Sequence, residues 1–312
     1  MKNKLSNHPG LLKHLGSIVL LGLLGLGVQQ SSPGLRNHYY PINKPEKEIV
    51  ISVNKNENLE RKVESFIKEK IEKKQLSESE ITAWSVYDFS TGEKLVGIND
   101  TIPLQSASMI KPFIALAFYH LEEQGKLSYG PKTKKQMEEM IQNSSNSCAN
   151  LIMGRIGGPK QVQKILIENY SEIFQKTEIK EYIPKGGKTY RNKSSASDYT
   201  NFLYALWTEQ LPKSEELKRI MSLPGKDRIY YGVKNIPKET NVKVYNKTGT
   251  TGYVVGDMGI LSFEEENSKK EYAIVGIIER EKRYGNFDKW KASRSNVIRD
   301  FSGLVYEEIG KE

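Results

Sequence analysis

The chain has 312 residues, 37% hydrophobic, 27% charged and 9% aromatic, with 25 Gly and 12 Pro, which excludes a collagen-like, low-complexity or wholly disordered chain and leaves apolar content for one large domain or two modest ones. Lys and Arg outnumber Asp and Glu by 47 to 38, a formal charge of +9 that favours anionic surroundings such as nucleic acid, cell-wall polymer or acidic lipid without choosing among them. With Cys148 the single cysteine and only four histidines, an intramolecular disulfide and a four-cysteine zinc site are excluded, and no metal or cofactor is expected.

In chain order, Lys2, Lys4 and Lys13 precede an apolar run from Leu15 to Val28. A cationic segment before a short apolar stretch is the pattern of a secretory signal, and the run falls short of the roughly 20 apolar residues of a spanning helix. No small-x-small cleavage site follows at Gly27–Ser31, so a retained membrane anchor is the alternative; with no cysteine nearby, a lipoprotein is excluded. An exported protein, periplasmic or extracellular, is expected. Residues 29–56 are polar with three prolines and read as a linker. A folded domain is expected over 57–312.

Val63, Phe66, Ile67 and Ile71 space an amphipathic helix over Leu59–Leu76. Ala83–Phe89 and Glu93–Ile98 flank Ser90-Thr91-Gly92 as a hairpin. A helix is predicted over Ser108–Glu123, with apolar residues at Ile110, Phe113, Ile114, Ala117, Phe118 and Leu121, ended by Gly125. The middle, about 111–225, reads as a helical subdomain broken at Gly157-Gly158-Pro159 and Pro184–Gly187. Strands are predicted at Val242–Asn246, Gly256–Phe263 and Tyr272–Glu279, and a last helix over Trp290–Ile309. Strands at both ends with helices between predict an α+β fold, an antiparallel sheet flanked by helices with an inserted all-helical subdomain.

Three short motifs carry chemistry. Ser108-Met109-Ile110-Lys111 has the form S-x-x-K, which on a helix sets both side chains on one face. A lysine amine there can take the serine proton once burial or another cation lowers its pKa. Alone the motif is weak, since a serine beginning a helix is more often a cap, and Ser52–Lys55 and Ser65–Lys68 have the same form in polar surroundings. Ser144-Ser145-Asn146 has the form S-x-N and reads equally as a helix cap. Lys247-Thr248-Gly249 follows a strand and reads as an ordinary turn or as a strand end that a substrate approaches over glycine. The ordered set is far more specific than its members.

In that order and context the motifs resemble the active-site-serine penicillin-recognising superfamily, most closely class A β-lactamases. Ser147–Ile152, Ile156-Gly157-Gly158-Pro159 and Lys247–Gly252 extend the match, which runs from about Ser65 to the C-terminus. The resemblance implies a β-lactamase/transpeptidase-like fold and a serine hydrolase acting on β-lactams or D-Ala-D-Ala-type peptidoglycan peptides. It implies Ser108 as the nucleophile, Lys111 as its activating partner and Ser144 as the proton relay to the leaving nitrogen. Asn146 would hold the substrate amide, Lys247 and Thr248 the substrate carboxylate, and Gly249 the close approach. Backbone N–H groups of Ser108 and Thr250 would form the oxyanion hole. Asn150 would brace the neighbouring loop.

The chain departs from the family where deacylation is decided. Counting back from Ile183-Pro184, the positions of the loop glutamate and asparagine hold Lys176 and Lys180, which leaves Glu178 and Glu181 as candidate bases. Ser145 stands where class A enzymes have Asp, and the stretch from Lys111 to Ser144 is short. A slowly deacylating penicillin-binding DD-peptidase or a sensor acylated once is therefore the alternative to a β-lactamase, and a glutaminase-like serine amidase a further one. Cys148 reads as a small buried hydrophobe and His120 as structural. Tyr190-Arg191-Asn192 reads as a loop brace, and Asp227-Arg228 as the source of a second cation for a substrate carboxylate. No aromatic-interleaved basic stripe is present, so no nucleic-acid partner is expected; a monomer, tethered through its N-terminus if the leader stays, is.

Overall fold

The computed structural model describes residues 57–310 except 185, 266, 267 and 284. The apolar run at 15–28 and the linker at 29–56 lie outside the described residues. No helix among the described residues is long and apolar enough to cross a membrane.

Helix α1 spans Glu57–Glu72, strands β1 and β2 Glu80–Asp88 and Glu93–Ile98, and the short β3 Leu104–Gln105. A 3-10 turn at Ala107–Ile110 leads into α2 at Lys111–Glu123. Then come α3 (Pro131–Ile141), α4 (Asn146–Ile156), α5 (Pro159–Asn169), β4 (Lys193–Ser194), α6 (Ala196–Trp207) and α7 (Ser214–Met221). The chain returns through β5 (Lys243–Thr250), β6 (Val254–Glu265) and β7 (Ser268–Arg280) to α8 at Phe287–Gly310. The five long strands form one antiparallel sheet in the order β2-β1-β7-β6-β5; an antiparallel sheet is what strands at both ends with helices between predict.

Both faces of that sheet are covered. Successive side chains on a strand point to opposite faces, and on β7 Ala273, Val275 and Ile277 join one core while Tyr272, Ile274 and Ile278 join the other. The first core packs against α2, α4 and α6, the second against α1 and α8. Gly276 pairs with Trp84 across β1 and β7. A Cβ there would stand 2.9 Å from the Trp84 ring, which packs on Phe301 of α8 with centroids 4.6 Å apart. Helix α8 is further pinned through Glu80, whose carboxylate accepts hydrogen bonds from Trp290 and Arg294.

Helix α2 differs from its sequence pattern. Every residue from Lys111 to Tyr119 is buried, so it is the central helix rather than a surface helix with one apolar stripe. The predicted strand at Val242–Asn246 also runs further, carrying Lys247-Thr248-Gly249 inside β5 instead of in a turn after it. β5 is the edge of the sheet, and one row of its backbone groups is therefore open to a ligand.

Candidate active site

Ser108 lies on the 3-10 turn before α2 rather than at a helix cap. The residues flanking the turn and α2, Ser106 and Ile110, make no side-chain cap bond, and α2 starts only at Lys111. The Ser108 hydroxyl is thus available for other contacts. The turn is held from two sides. Asn192 O accepts the Ser106 N–H at 3.0 Å and the Ser106 hydroxyl at 2.9 Å. Strand β5 crosses it closely enough that a Cβ on Gly249 would stand 2.9 Å from Met109 Cγ and 3.0 Å from Ser106 O. Glycine at this position lets β5 pack directly on the turn that carries Ser108. Ala107, beside Ser108, has φ +45, a left-handed conformation that a non-glycine residue adopts only when its surroundings impose it.

The Lys111 amine is fully buried and gathers the first two motifs. Nζ lies 3.0 Å from Ser108 Oγ, 2.5 Å from Ser144 O, 3.0 Å from Ser144 Oγ and 2.8 Å from Asn146 Oδ1. Ser144 reaches it from a left-handed backbone (φ +56), while Ser145 caps α4 by accepting the Cys148 N–H at 3.2 Å. Ser145, where the family has Asp, is the cap that orients α4. Burial, and then the charge of Lys247, bring the Lys111 pKa down to about 7. A neutral amine has two N–H bonds and one lone pair. With Ser144 O and Asn146 Oδ1, at the two shortest distances, accepting those N–H groups, the lone pair of the neutral amine can face Ser108 Oγ.

The third motif brings a second ammonium. Lys247 is buried at 4% exposure, and burial lowers its pKa to about 8, with Asp257 opposing the shift and Arg228 adding to it. Its Nζ donates to Thr248 O at 3.2 Å. Arg228 lines the cleft beside β5 and donates to Thr250 Oγ1 at 2.7 Å, Gly256 O at 2.9 Å and Ser295 Oγ at 2.9 Å. Asp257, fully buried opposite Thr248 in the β5–β6 register, accepts the Arg228 N–H at 2.6 Å and both contacts from Asn246 Nδ2. Burial pushes the Asp257 carboxyl up to about 7, against the pull of Arg228. Asp257 and Ser295 escaped the sequence reading. The signal for Asp257 was a lone carboxylate inside an otherwise apolar strand, Val254–Leu261, whose two faces are both buried.

Ser108, Ser144, Asn146, Arg228, Thr248 and Thr250 line one cleft of about 940 Å³, whereas Lys111, Lys247 and Asp257 are buried and are not among its lining residues. Neither candidate base is in it. The Glu178 carboxylate is exposed and pairs with Lys180 at 2.6 Å. Glu181 Oε1 accepts from Thr189 Oγ1 and from the N–H groups of Tyr190 and Arg191, at 3.0–3.1 Å, so it knots its own loop. The wall facing Asn146 is Gly186, Gly187 and Lys188 instead, with Gly187 close enough that a Cβ would lie 3.3 Å from Asn146 Nδ2. Asn150 braces this loop as read from the sequence, exchanging bonds with the Ile183 backbone at 2.8 and 2.9 Å. Asn192 is a brace as well, but Tyr190 also lines the cleft and meets Tyr253 edge-on at 5.2 Å. Cys148 is half-buried against the helical core, and His120 is bound by Tyr170 and Gln124.

Solved structures share this fold. PBP-A matches with a TM-score of 0.64 at 20% identity, over 82% of this chain and 97% of that one. A leucine-to-glutamate mutant of it, solved as an acyl-enzyme complex with penicillin G, matches at 0.64 and 19%, over the same shares. A representative class A β-lactamase from Bacteroides cellulosilyticus DSM 14838 matches at 0.63 and 16%, over 81% of this chain and 99% of that one. No curated protein matches the sequence. The β-lactamase enzyme family model matches residues 62–134 and 131–309, a span that takes in the sheet, the helical lobe and all three motifs. With its sheet, its helices and that match in agreement, the chain belongs to the β-lactamase enzyme family.

Proposed function

We propose that the protein is a serine hydrolase that forms an acyl-enzyme on Ser108 with β-lactams and with D-Ala-D-Ala-type peptides, and that releases the acyl group slowly. The observation that carries the first part is the buried Lys111 amine 3.0 Å from the Ser108 hydroxyl, where burial and then Lys247 draw its pKa down to about 7. At pH 7 roughly half of such amines are neutral, against about one in 10³ for an ordinary lysine. In this reading Lys111 takes the Ser108 proton as Oγ attacks the carbonyl carbon. Ser144 then passes a proton to the leaving nitrogen, and Lys247 with Thr248 holds the substrate carboxylate. The Ser108 and Thr250 N–H groups face the developing oxyanion, where one such donor is typically worth about 10²–10³ in rate. Arg228 keeps Thr250 in place and adds positive potential.

The second part rests on the loop. Hydrolysis of the acyl-enzyme needs a water and a base beside the ester, and Asp227 is the one carboxylate among the described residues lining the cleft. Its Oδ1 already accepts three backbone N–H groups, from Ile229, Tyr230 and Tyr231. The family's fold serves both fast β-lactamases and penicillin-binding proteins, and the wall of Gly186, Gly187 and Lys188 favours the second. The cationic leader supports export, to where cell-wall peptides are found. A chromogenic cephalosporin tests the proposal: one colour burst equal to the protein concentration is expected, continuous colour development refutes slow release, and no colour refutes acylation.

A further inference from the structure

The cleft holds more positive charge than one substrate carboxylate calls for. Lys188, Lys226, Arg228, Arg283, Lys291 and Arg299 line it, against the one carboxylate among the described residues, that of Asp227, with Lys291 paired to Asp288 at 2.7 Å. Arg299 hydrogen-bonds to neutral oxygens, Tyr231 O, Asn296 Oδ1 and Asp227 O. It also lies near enough to Arg228 to push that guanidinium's pKa down, after the effect of burial. The charge continues past the third motif. At Gly252 a Cβ would stand 2.8 Å from Arg283 Nε and 3.0 Å from its Cζ, so the absence of a side chain makes the room in which the guanidinium rests against the strand end. Arg283 is exposed and has no ion pair among the described residues. The loop bearing Lys188 closes the same end, because Tyr190 packs on Tyr253, the neighbour of Gly252. Lys188 is likewise exposed and has no ion pair among the described residues.

We infer that Arg283, with Lys188 from the facing loop, forms a second anion subsite at the Gly252 end of the cleft, which takes a carboxylate on the acyl arm of a peptide substrate. The inference rests on the proposed role of β5 as the strand along which substrate lies. Thr248 and Gly252 are four residues apart, a span of at most about 13 Å, with Gly252 in the turn between the end of β5 at Thr250 and the start of β6 at Val254. A peptide extended beside β5, with its terminal carboxylate at Thr248, presents its fourth residue from the C-terminus to Arg283. A planar guanidinium with free donors suits a carboxylate there.

The test uses the full chain with Ser108→Ala and two N-acetylated peptides ending in D-Ala-D-Ala, with glutamate or glutamine as the fourth residue from the C-terminus. Titration calorimetry at low salt is expected to show the glutamate peptide binding about five- to tenfold tighter. The preference should fall to near one with Arg283→Gln added, and in 0.5 M salt, where exposed charges are screened within a few ångströms (roughly). Equal binding of the two peptides, binding of neither, or a preference that survives Arg283→Gln overturns the subsite. Penicillin labelling of the Ser108-containing protein separates the two proposals: no labelling alongside an intact glutamate preference overturns the acyl-enzyme reading and leaves the subsite standing.

Discussion

Replacing Lys247 by methionine probes the coupling of the two ammonium groups, with a direction that the geometry dictates. Lys111 is held at about 7 by burial first and by the charge of Lys247 second. Acylation that depends on neutral Lys111 rises with pH through that value. Methionine keeps the length and apolar character of the buried stem but removes the charge, so Lys111 becomes easier to protonate and its pKa rises. Because burial is the larger cause and remains, only part of the shift is lost, roughly half to one pH unit. The neutral fraction of Lys111 at pH 7 then falls about two- to fivefold. Loss of the proposed carboxylate partner is expected to weaken binding separately, so the assay must isolate the chemical step. Stopped-flow acylation at saturating β-lactam, from pH 5.5 to 9 (roughly), reports the ascending limb. A limb that stays near 7 in Lys247→Met, or moves to lower pH, refutes the coupling.

Glu178→Gln should leave the acyl-enzyme lifetime unchanged within about twofold, since an exposed ion pair is worth little; a lifetime lengthened many-fold, followed by intact mass, would place that carboxylate in deacylation after all. Gly249→Ala drives a methyl into Met109 and the Ser106 carbonyl, and overpacking of this kind costs about 1–3 kcal/mol. Urea unfolding should show the loss, with acylation reduced alongside, and an unchanged midpoint would contradict the packing argument. Stability should also carry the signature of the buried lysines. Their folded pKa values, about 7 and about 8, lie below the ordinary lysine value. Above those values the unfolded chain binds more protons, so stability rises with pH between about 7 and 10. Lys111→Met should flatten that rise in urea titrations at pH 7, 8 and 9 (roughly), and an equally steep rise would count against the lowered pKa. Asp257→Asn leaves the fold in place but weakens the hold on the Arg228 loop, and the apparent affinity for β-lactam carboxylate should drop by roughly three- to tenfold; unaltered affinity would reduce Asp257 to a packing residue.

What the sequence shows is the local grammar of the site, and what it hides is the loop geometry. S-x-x-K, S-x-N and K-T-G are short enough that each sits inside one turn or one strand, and the fold brings them to a single amine because α2 is buried from Lys111 onward. A near-continuous apolar run is legible wherever a strand is buried between two cores, which is why β6 and β7 are predicted, both shorter in prediction than in fact. The end of β5 was lost for a local reason: Lys-Thr-Gly has turn-forming residues, and only pairing with β6 keeps it extended. Glu178 and Glu181 looked like candidate bases because spacing was the only guide. Their partners, Lys180 and the backbone of Tyr190 and Arg191, are contacts that no periodicity encodes. Asp257 and Ser295 were missed because they act through Arg228, across a sheet edge and from a helix remote in sequence.

The proposed chemistry turns on Ser108 taking an acyl group that Lys111 prepares it to receive. Intact-mass measurement of the protein mixed with excess penicillin, followed by peptide mapping, tests this most directly. One penicilloyl group per chain, on the peptide containing Ser108, persistent for minutes or longer and absent from Ser108→Ala, is the predicted result. Unmodified protein under the same conditions, or an adduct that survives Ser108→Ala, would contradict it.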